Sequence, residues 1–219
     1  MKSRLQLIIE WIEAESKWTK IADIGTDHGF VPLCLAEKSS RLTIFATDIV
    51  QLPINKLKEK SGHMPQIKTF VGFGLNPLQG QELDLCIIAG MGVQKTLKIL
   101  KLDSHLQKNY LFQGIENPIK LREWVQQKHY FIVKEKIIKE KNYYYHTLLI
   151  SKSKGIHITN KEENYFGPLL LKEKDDVFLE YWQNIFHFKK NIVKEITNTD
   201  KSNKIKKEIK MIQNTLQNA

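Results

Sequence analysis

Residues 21–29 place two carboxylates, a histidine and two glycines directly after an apolar run. The segment reads Ile-Ala-Asp-Ile-Gly-Thr-Asp-His-Gly, and residues that favour helices follow it. Glycine has no β-carbon, so a ligand can approach the backbone closely at such a turn. Open α/β sheets bind ligands at the carboxyl ends of their strands, where this turn would lie. The segment therefore predicts a ligand pocket with acidic groups at Asp23 and Asp27.

The same spacing argues against a nucleotide pyrophosphate as the ligand. Dinucleotide-binding loops carry Gly-x-Gly-x-x-Gly and hold the pyrophosphate at a helix N-terminus, whereas this loop reads Asp-x-Gly-x-x-x-Gly. Carboxylates beside a pyrophosphate would repel it, which disfavours a nicotinamide-dependent dehydrogenase. A cationic ligand without phosphate suits the loop better, and S-adenosylmethionine carries both an ammonium and a sulfonium group.

Three further loops follow apolar runs and complete the predicted pocket. Asp48, with Ile49 after it, ends the second run, where an acid can accept hydrogen bonds from two ribose hydroxyls. Phe73 lies between two glycines in the third loop and either stacks on an adenine ring or fills the core. Bare backbone at residues 89–92 would form a wall of the pocket. The predicted cofactor-binding residues are Asp23, Gly25, Thr26, Asp27, His28, Asp48, Ile49, Gly72, Phe73, Gly74, Ala89, Gly90, Met91 and Gly92.

Asp27 and His28 are the predicted catalytic residues, because they lie in the first of these loops. They would shape the electric field at the reacting atoms. The alternative is a structural role, with Asp27 capping the following helix and His28 hydrogen-bonded to backbone. The sequence lacks the Asn/Asp-Pro-Pro-aromatic element of methyltransferases that act on exocyclic amino groups. Residues 116–118, Glu-Asn-Pro, instead predict the start of a helix.

Alternating strands and helices must position these loops. The predicted strands, which are continuously apolar as parallel strands buried on both faces are, span residues 21–24, 42–47, 67–71, 83–89 and 110–115. The predicted helices span residues 5–12, 31–38, 53–60 and 119–128. Residues 131–138 and 143–151 flank Glu-Lys-Asn and predict an antiparallel hairpin. The predicted fold class is α/β: a Rossmann-like, mostly parallel sheet with an antiparallel hairpin at one edge.

The chain changes character after the hairpin. Residues 1–153 are the predicted sheet domain, and residues 154–219 are a predicted helical domain. Apolar residues recur at helical spacing within 178–196 and again within 205–216, and residues 198–203 break the pattern. Narrow apolar stripes of this kind predict two helices in an antiparallel hairpin or a short coiled coil.

The charge balance favours a polyanionic partner. The 219 residues contain 34 Lys+Arg against 24 Asp+Glu, which gives a net charge of +10, and nearly all of the basic residues are lysine. The positive electric field of many lysines attracts a phosphate backbone but does not distinguish one base from another. Lysine bias also follows from genome composition, so charge alone leaves a nucleic-acid partner open.

Cysteine usage and hydropathy suggest a cytoplasmic protein. Cys34 and Cys86 are predicted to be free thiols, because a disulfide framework or a zinc site needs more ligands at tighter spacing. No metal is therefore expected. No apolar run approaches the ~20 residues of a membrane span, and Glu10 and Glu13 interrupt any signal-peptide core.

Four motifs, in order, resemble the bacterial tRNA (adenine-22-N1)-methyltransferase family. They are Asp-Ile-Gly-Thr-Asp-His-Gly (23–29), Ala-Gly-Met-Gly (89–92), Leu-Arg-Glu-Trp (121–124) and Phe-Gly-Pro-Leu-Leu (166–170). The resemblance runs from about residue 1 to 200. It implies a class I S-adenosylmethionine-dependent methyltransferase domain followed by a helical coiled-coil domain, and methylation of ring nitrogen N1 of adenine 22 in tRNA.

The chain departs from the family pattern at several positions. Phe73 stands where an acid usually precedes the next glycine, and Val93 stands where another glycine is usual. Gly114 and Ile115 replace a usual Pro-Asn, so a role in positioning the acceptor cannot be carried onto them. These departures keep two alternatives open: a non-catalytic tRNA-binding relative, and a methyltransferase for another acceptor.

The tRNA that the resemblance implies would be held mainly through its phosphates. Residues 143–146 interleave aromatic rings with lysines and either stack on bases or lie on a strand face. The sequence leaves the oligomeric state open, with a monomer favoured. The predicted tRNA-contacting residues are Lys120, Arg122, Lys136, Lys139 and Lys141.

Overall fold

The computed structural model describes residues 3–103 and 106–218. Its strands are β1 (Lys20–Ile24), β2 (Thr43–Asp48), β3 (Ile67–Val71), β4 (Leu85–Ala89), β5 (Asn109–Gly114), β6 (Phe131–Glu140) and β7 (Tyr143–Ser151). The helices up to the hairpin are α1 (Ser3–Glu13), α2 (Phe30–Lys38), α3 (Gln51–Lys60), α4 (Val93–Leu102) and α5 (Ile119–Gln127). The helices after it are α6 (Lys161–Phe166), α7 (Pro168–Glu173), α8 (Asp176–Ile192) and α9 (Thr199–Gln217).

The strands form one seven-stranded sheet in the order β3-β2-β1-β4-β5-β7-β6. Strands β1 to β5 are parallel, and β7 pairs antiparallel with both β5 and β6. The strand order reverses between β1 and β4, where sheets of this class open a crevice at the carboxyl ends of their strands. The predicted α/β fold, a Rossmann-like mostly parallel sheet with an antiparallel edge hairpin, is confirmed.

Burial of the central strands explains their continuously apolar sequences. All residues of β1 are buried except Lys20, and all residues of β4 are buried except Ala89. Ile8, Ile9 and Ile12 of α1 join Ile21 of β1 and Ile87 of β4 in one hydrophobic cluster. The predicted N-terminal amphipathic helix is therefore confirmed, and its apolar face packs on the sheet.

Both cysteines are free thiols, as predicted. Burial raises the pKa of the Cys86 thiol well above its ordinary value. Within residues 3–103 and 106–218, no group of three His, Cys, Asp or Glu side chains is arranged to hold a metal ion. No helix in the same ranges is both long and apolar enough to cross a bilayer.

The first compact unit extends to Ile158 and the second begins at Thr159, whereas the sequence predicted a boundary at residue 153. Ile156 accounts for the difference. Its N–H donates to the carbonyl of Ile132 and its carbonyl accepts from the N–H of Ile132, both at 2.8 Å. This antiparallel bridge ties the chain after β7 to β6.

The second unit is helical, as predicted. Lys174, just before α8, donates to the carbonyls of Thr215 and Asn218 at the end of α9, at 3.3 and 2.7 Å. Farther along the pair, Lys189 and Glu208 form an ion pair at 2.6 Å. Because the start of α8 contacts the end of α9, the two helices form an antiparallel hairpin.

Candidate active site

A cavity of about 720 Å³ opens at the carboxyl ends of β1 to β4. It brings together all of the predicted cofactor-binding residues except Gly92. The predicted residues in its lining are Asp23, Gly25, Thr26, Asp27, His28, Asp48, Ile49, Gly72, Phe73, Gly74, Ala89, Gly90 and Met91. Residues that the sequence did not single out, among them Arg4, Phe30, Val50 and Lys95, also line it.

Backbone hydrogen bonds tie the first loop to β2. The N–H groups of Gly25 and Thr26 both donate to the carbonyl of Thr47, at 2.8 and 2.9 Å. Asp27 follows in a left-handed conformation, with φ of 48°, which Asp adopts more readily than most residues. Gly29 is the N-cap residue of α2, and no side chain caps that helix in the described part of the chain. The alternative in which Asp27 caps this helix is therefore wrong.

Asp48 holds the first and second loops together. Its Oδ2 accepts a hydrogen bond from the N–H of Asp27 at 3.1 Å, and its Oδ1 accepts one from the N–H of Val50 at 3.0 Å. Each carboxylate oxygen has a further lone pair. Asp48 can therefore fix both loops and still accept hydrogen bonds from hydroxyl groups in the cavity.

Asp23 is a buried carboxyl group on the cavity wall, with an exposed fraction of 4%. Burial is the main reason that its pKa is raised to about 6, and the charge of Asp48 acts in the same direction. The hydroxyl of Thr26 opposes both effects. A cation beside Asp23 would favour the ionised carboxylate, so the cavity suits a positively charged ligand.

Met91 forms the wall that faces the first loop. Its Cε methyl lies where a β-carbon on Gly25 would stand, and Gly25 also has φ of 74°. Glycine is therefore required at position 25 by both the packing and the backbone conformation. On the other side, the N–H of Gly90 donates to the carbonyl of Gln113 at 2.9 Å, which holds the fourth loop against β5.

The third loop presents an aromatic ring to the cavity. Phe73 is in the cavity lining, and Lys98 Nζ lies 5.6 Å from the centroid of its ring. The loop is fixed to the end of β2, because the hydroxyl of Thr47 donates to the carbonyl of Gly74 at 3.1 Å. Of the two predicted alternatives, the position of Phe73 favours stacking on a ligand over filling the core.

Asp27 and His28 lie at the rim of the cavity. His28 Nε2 is 3.6 Å from Asp27 Oδ2, and their side chains are 61% and 73% exposed, respectively. The His28 ring also meets the Phe30 ring edge-on, with centroids 5.7 Å apart. Both predicted catalytic side chains are therefore accessible to a molecule that enters the cavity.

Known proteins are similar in sequence to this chain over most of its length. The sequence profile of the family described as tRNA (adenine(22)-N(1))-methyltransferase matches residues 21–218. The chain belongs to this family. The curated protein of that name from Bacillus subtilis (strain 168) is 27% identical over 228 residues, which cover 96% of this chain and 91% of the relative.

Solved structures related to this methyltransferase family share the fold of the chain. M. capricolum TrmK in complex with S-adenosyl-homocysteine has a TM-score of 0.88 and 28% identity, covering 99% of this chain and 98% of that one. Streptococcus pneumoniae Sp1610 in complex with S-adenosyl-L-methionine has a TM-score of 0.83 and 24% identity, covering 99% of this chain and 100% of that one. The shared fold therefore includes the helical hairpin as well as the sheet.

Gly92 differs from the other predicted cofactor residues of this family member. It is the N-cap residue of α4 and does not belong to the described lining of the cavity. A β-carbon at this position would stand 2.8 Å from Glu116 Oε1. The glycine therefore gives room to the side chain of Glu116.

The predicted tRNA-contacting lysines are not in the described lining of the cavity. Lys139 and Lys141 are exposed on the β6–β7 hairpin, and Lys136 is partly exposed there. Lys120 is exposed on α5, beside a second cavity of about 530 Å³. The structure thus leaves these lysines at the surface, where a large polyanion can reach them.

Arg122 was wrongly predicted to contact phosphate, because its side chain is buried. Its exposed fraction is 0%, and its Nε donates to Glu135 Oε1 at 2.8 Å, which joins α5 to β6. His146 is buried as well, and this burial, together with the charge of Arg122, lowers its pKa to about 3. His146 is therefore not part of a base-stacking surface at residues 143–146.

The sequence missed cavity residues for two different reasons. Phe30 and Val50 follow predicted loop residues closely, and extending each loop by one or two positions would have found them. No pattern in the neighbouring sequence marks Arg4 as a cavity residue, because its position is determined by contacts with residues far along the chain. Its carbonyl accepts from Gln113 Nε2 at 2.9 Å, and its N–H donates to Glu140 Oε2 at 3.2 Å.

Proposed function

We propose that this protein transfers a methyl group from S-adenosylmethionine to ring nitrogen N1 of adenine 22 in tRNA. The observation that carries the proposal is the assembly of predicted cofactor residues from four strand ends around one cavity, in a member of this family. The B. subtilis relative bears the name of this activity, and M. capricolum TrmK was solved with the cofactor product. The protein acts in the cytoplasm as a monomer, with tRNA as its partner.

The lining of the cavity suits S-adenosylmethionine in its charge, its hydrogen-bond acceptors and its aromatic ring. Asp23 places a buried carboxyl group beside a cationic ligand, and Asp48 retains lone pairs for ribose hydroxyls. Phe73 offers a ring on which adenine can stack. When bound, the cofactor supplies an electrophilic methyl group on its sulfonium.

The acceptor needs no general base, because N1 of neutral adenine carries a lone pair and no proton. The protein therefore contributes proximity, alignment and a suitable electric field. Methylation leaves a cationic adenine, and the carboxylate of Asp27, next to His28 at the rim, stabilises the positive charge as it develops. N1 faces inward in a Watson–Crick pair, so the base must be unpaired or extruded before it reacts.

Surface lysines hold the tRNA. They are Lys120, Lys136, Lys139 and Lys141, in a chain of net charge +10. Contacts from lysine to phosphate position a nucleic acid without reading its sequence. Tyr143, at the start of β7, is 57% exposed and is available for stacking on a base.

Methyl transfer to unmodified tRNA tests the proposal directly. The protein is incubated with S-adenosylmethionine labelled with tritium in its methyl group and with a tRNA transcript that has adenine at position 22. The nucleosides are then separated and identified by mass. We expect labelled 1-methyladenosine, and no label in a matched transcript with guanine at position 22.

Two outcomes would overturn the proposal in different ways. Cofactor binding without transfer to any tRNA would identify a non-catalytic tRNA-binding relative, and the family departures at Phe73, Val93 and Ile115 would then explain the loss. Transfer to a different acceptor, at a rate that does not depend on salt, would identify a methyltransferase of another specificity.

A further inference from the structure

Glu116 reaches the N-terminus of α4 from the loop after β5. Its Oε2 accepts a hydrogen bond from the N–H of Val93, the first residue of that helix, at 3.1 Å. Its Oε1 lies 2.8 Å from the position of a β-carbon on Gly92. The carboxylate can stand this close to the backbone only because residue 92 has no side chain.

This contact satisfies a need that α4 cannot meet by itself. The first N–H groups of a helix have no partner within the helix, and a negative charge at that end is favourable. Gly92 occupies the N-cap position and has no side chain with which to accept a hydrogen bond. Glu116, distant in sequence, supplies the missing acceptor.

The loop that precedes α4, residues 89–92, lines the cofactor cavity on one side and contacts the end of β5. The carbonyl of Met91 lies 2.8 Å from the position of a β-carbon on Gly114. The N–H of Gly90 donates to the carbonyl of Gln113 at 2.9 Å. The loop is therefore held at two places, by the end of β5 and at the start of α4. Glu116 makes the hydrogen bond at the start of α4.

We propose that Glu116 is a positioning residue for the methyl-transfer site. It acts through the backbone of residues 89–92, and Gly92 is glycine in order to admit its carboxylate. The same contact gives a role to the Glu-Asn-Pro segment, next to the Gly114 and Ile115 departures from the family pattern. The kinetic part of this inference rests on the proposed function, whereas its cofactor-binding part does not.

Three variants test the role of the carboxylate. Glu116→Ala removes the acceptor, Glu116→Gln keeps an acceptor oxygen, and Glu123→Ala removes the same charge from an exposed position on α5. Losing a helix cap corresponds to about a five- to tenfold change in an equilibrium constant. We expect Glu116→Ala to weaken S-adenosylmethionine binding by about that factor and to lower kcat, with little change in the KM for tRNA. Glu116→Gln should recover most of the affinity, and Glu123→Ala should resemble the parent protein.

A double-mutant cycle tests whether Gly92 and Glu116 act as a pair. Gly92 has φ of −67°, which alanine adopts without strain, so Gly92→Ala acts mainly through the carboxylate that its β-carbon displaces. Gly92→Ala should weaken cofactor binding in the parent protein and have little further effect beside Glu116→Ala. Independent, additive effects of the two substitutions would overturn the pairing.

Calorimetric titration with S-adenosylmethionine alone separates this inference from the proposed function. If the parent protein binds the cofactor but methylates no tRNA, the proposed function fails and the titrations still decide the role of Glu116. Unchanged cofactor affinity in Glu116→Ala, or equal losses in Glu116→Ala and Glu116→Gln, would overturn the inference. Thermal unfolding of each variant checks that it is folded at the temperature of the titration.

Discussion

The Cε methyl of Met91 occupies the space that a β-carbon on Gly25 would need. The two residues belong to the loops that follow β1 and β4, which are neighbours in the sheet. Their contact joins those loops at the point where the strand order reverses. The absence of a side chain at position 25 therefore sets the position of the methionine that lines the cavity.

The variant Gly25→Ala should lose cofactor affinity by at least about fivefold, because overpacking of this kind costs about 1–3 kcal/mol. The displaced Met91 would enter the space that the ligand needs. The positive φ adds strain of about 1 kcal/mol to the folded protein. Calorimetric titration with S-adenosylmethionine measures the first effect, and thermal unfolding measures the second.

Gly80→Ala is the matched control, because Gly80 has φ of 78° and no described atom within 4 Å of its added β-carbon. It should show the backbone strain with unchanged cofactor affinity. Equal affinities of the two variants would show that the contact with Met91 has no role in binding.

Protonation of Asp23 should make the stability of the free protein depend on pH. Burial raises its pKa to about 6 from an ordinary value of 3.8, so the unfolded chain ionises first as the pH rises. The stability that Asp23 contributes in its protonated form is therefore fully present below pH ~4, and about 3 kcal/mol is lost as the pH rises from there through 6. Asp23→Asn should lack this loss. Urea unfolding of both proteins at pH 4, 5, 6 and 7 makes the comparison.

Cofactor affinity should change with pH in the opposite direction. A cationic ligand favours the ionised carboxylate, so affinity should rise by about tenfold for each pH unit below 6 and level off above it. Asp23→Asn should bind weakly with a flat profile, and Asp48→Ala should bind weakly because it lacks the proposed hydroxyl acceptor. A parent protein whose affinity is constant from pH 5 to 8 would rule out Asp23 as a cofactor contact.

Asp27→Asn should lower kcat by about three- to tenfold, a modest factor because the carboxylate is exposed and screened by solvent. Asparagine tolerates the left-handed backbone of this residue, so the hydrogen bond from its N–H to Asp48 should be kept. His28→Gln tests its neighbour in the same way, and Glu37→Gln on α2 is a remote control. If kcat is unchanged in both loop variants, neither residue has a catalytic role.

Arg122→Ala should destabilise the protein by about 3–5 kcal/mol, because it removes the guanidinium that pairs with the buried carboxylate of Glu135. Replacing both residues, with Arg122→Met and Glu135→Leu, should restore much of the loss. Urea unfolding provides the free energies. A destabilisation below about 1 kcal/mol for the single variant would be typical of an exposed ion pair and would contradict the buried arrangement.

Binding of tRNA should weaken steeply with salt, and the hairpin lysines should carry part of that dependence. Replacing Lys136, Lys139 and Lys141 with alanine should reduce the slope of log affinity against log salt by about 0.7–0.9 for each phosphate that is no longer neutralised. A triple variant of Lys56, Lys58 and Lys60 on α3 removes the same charge and should keep the slope. Filter binding at several salt concentrations compares them. Equal slopes for the two triple variants would exclude the hairpin as the tRNA contact.

The strand ends could be read from the sequence because each apolar run stops at a residue of a different chemical type. Asp23 and Asp48 interrupt runs that are buried on both faces, and the structure places both in the cavity lining. The hairpin was also predicted, although β6 continues to Glu140, two residues beyond its predicted end. Patterns of this kind depend on residues that are close in the sequence, so they can be recognised before the fold is known.

Roles that depend on distant partners could not be read in this way. Arg122 looks like a surface cation until Glu135 is seen beside it in the interior. Gly92 looks like one more cofactor glycine until the carboxylate of Glu116 is found against it. In each case the partner comes from a different element, and only the folded chain brings the two together.

The hydrogen bond between Arg4 and Glu140 can form only late in biosynthesis. Its N–H donates to Glu140, which lies 136 residues farther along the chain. The ribosome delivers the N-terminus first, so this part of the lining waits for β6 to leave the exit tunnel. A nascent polypeptide that ends before Glu140 therefore lacks the hydrogen bond that holds Arg4 at the cavity.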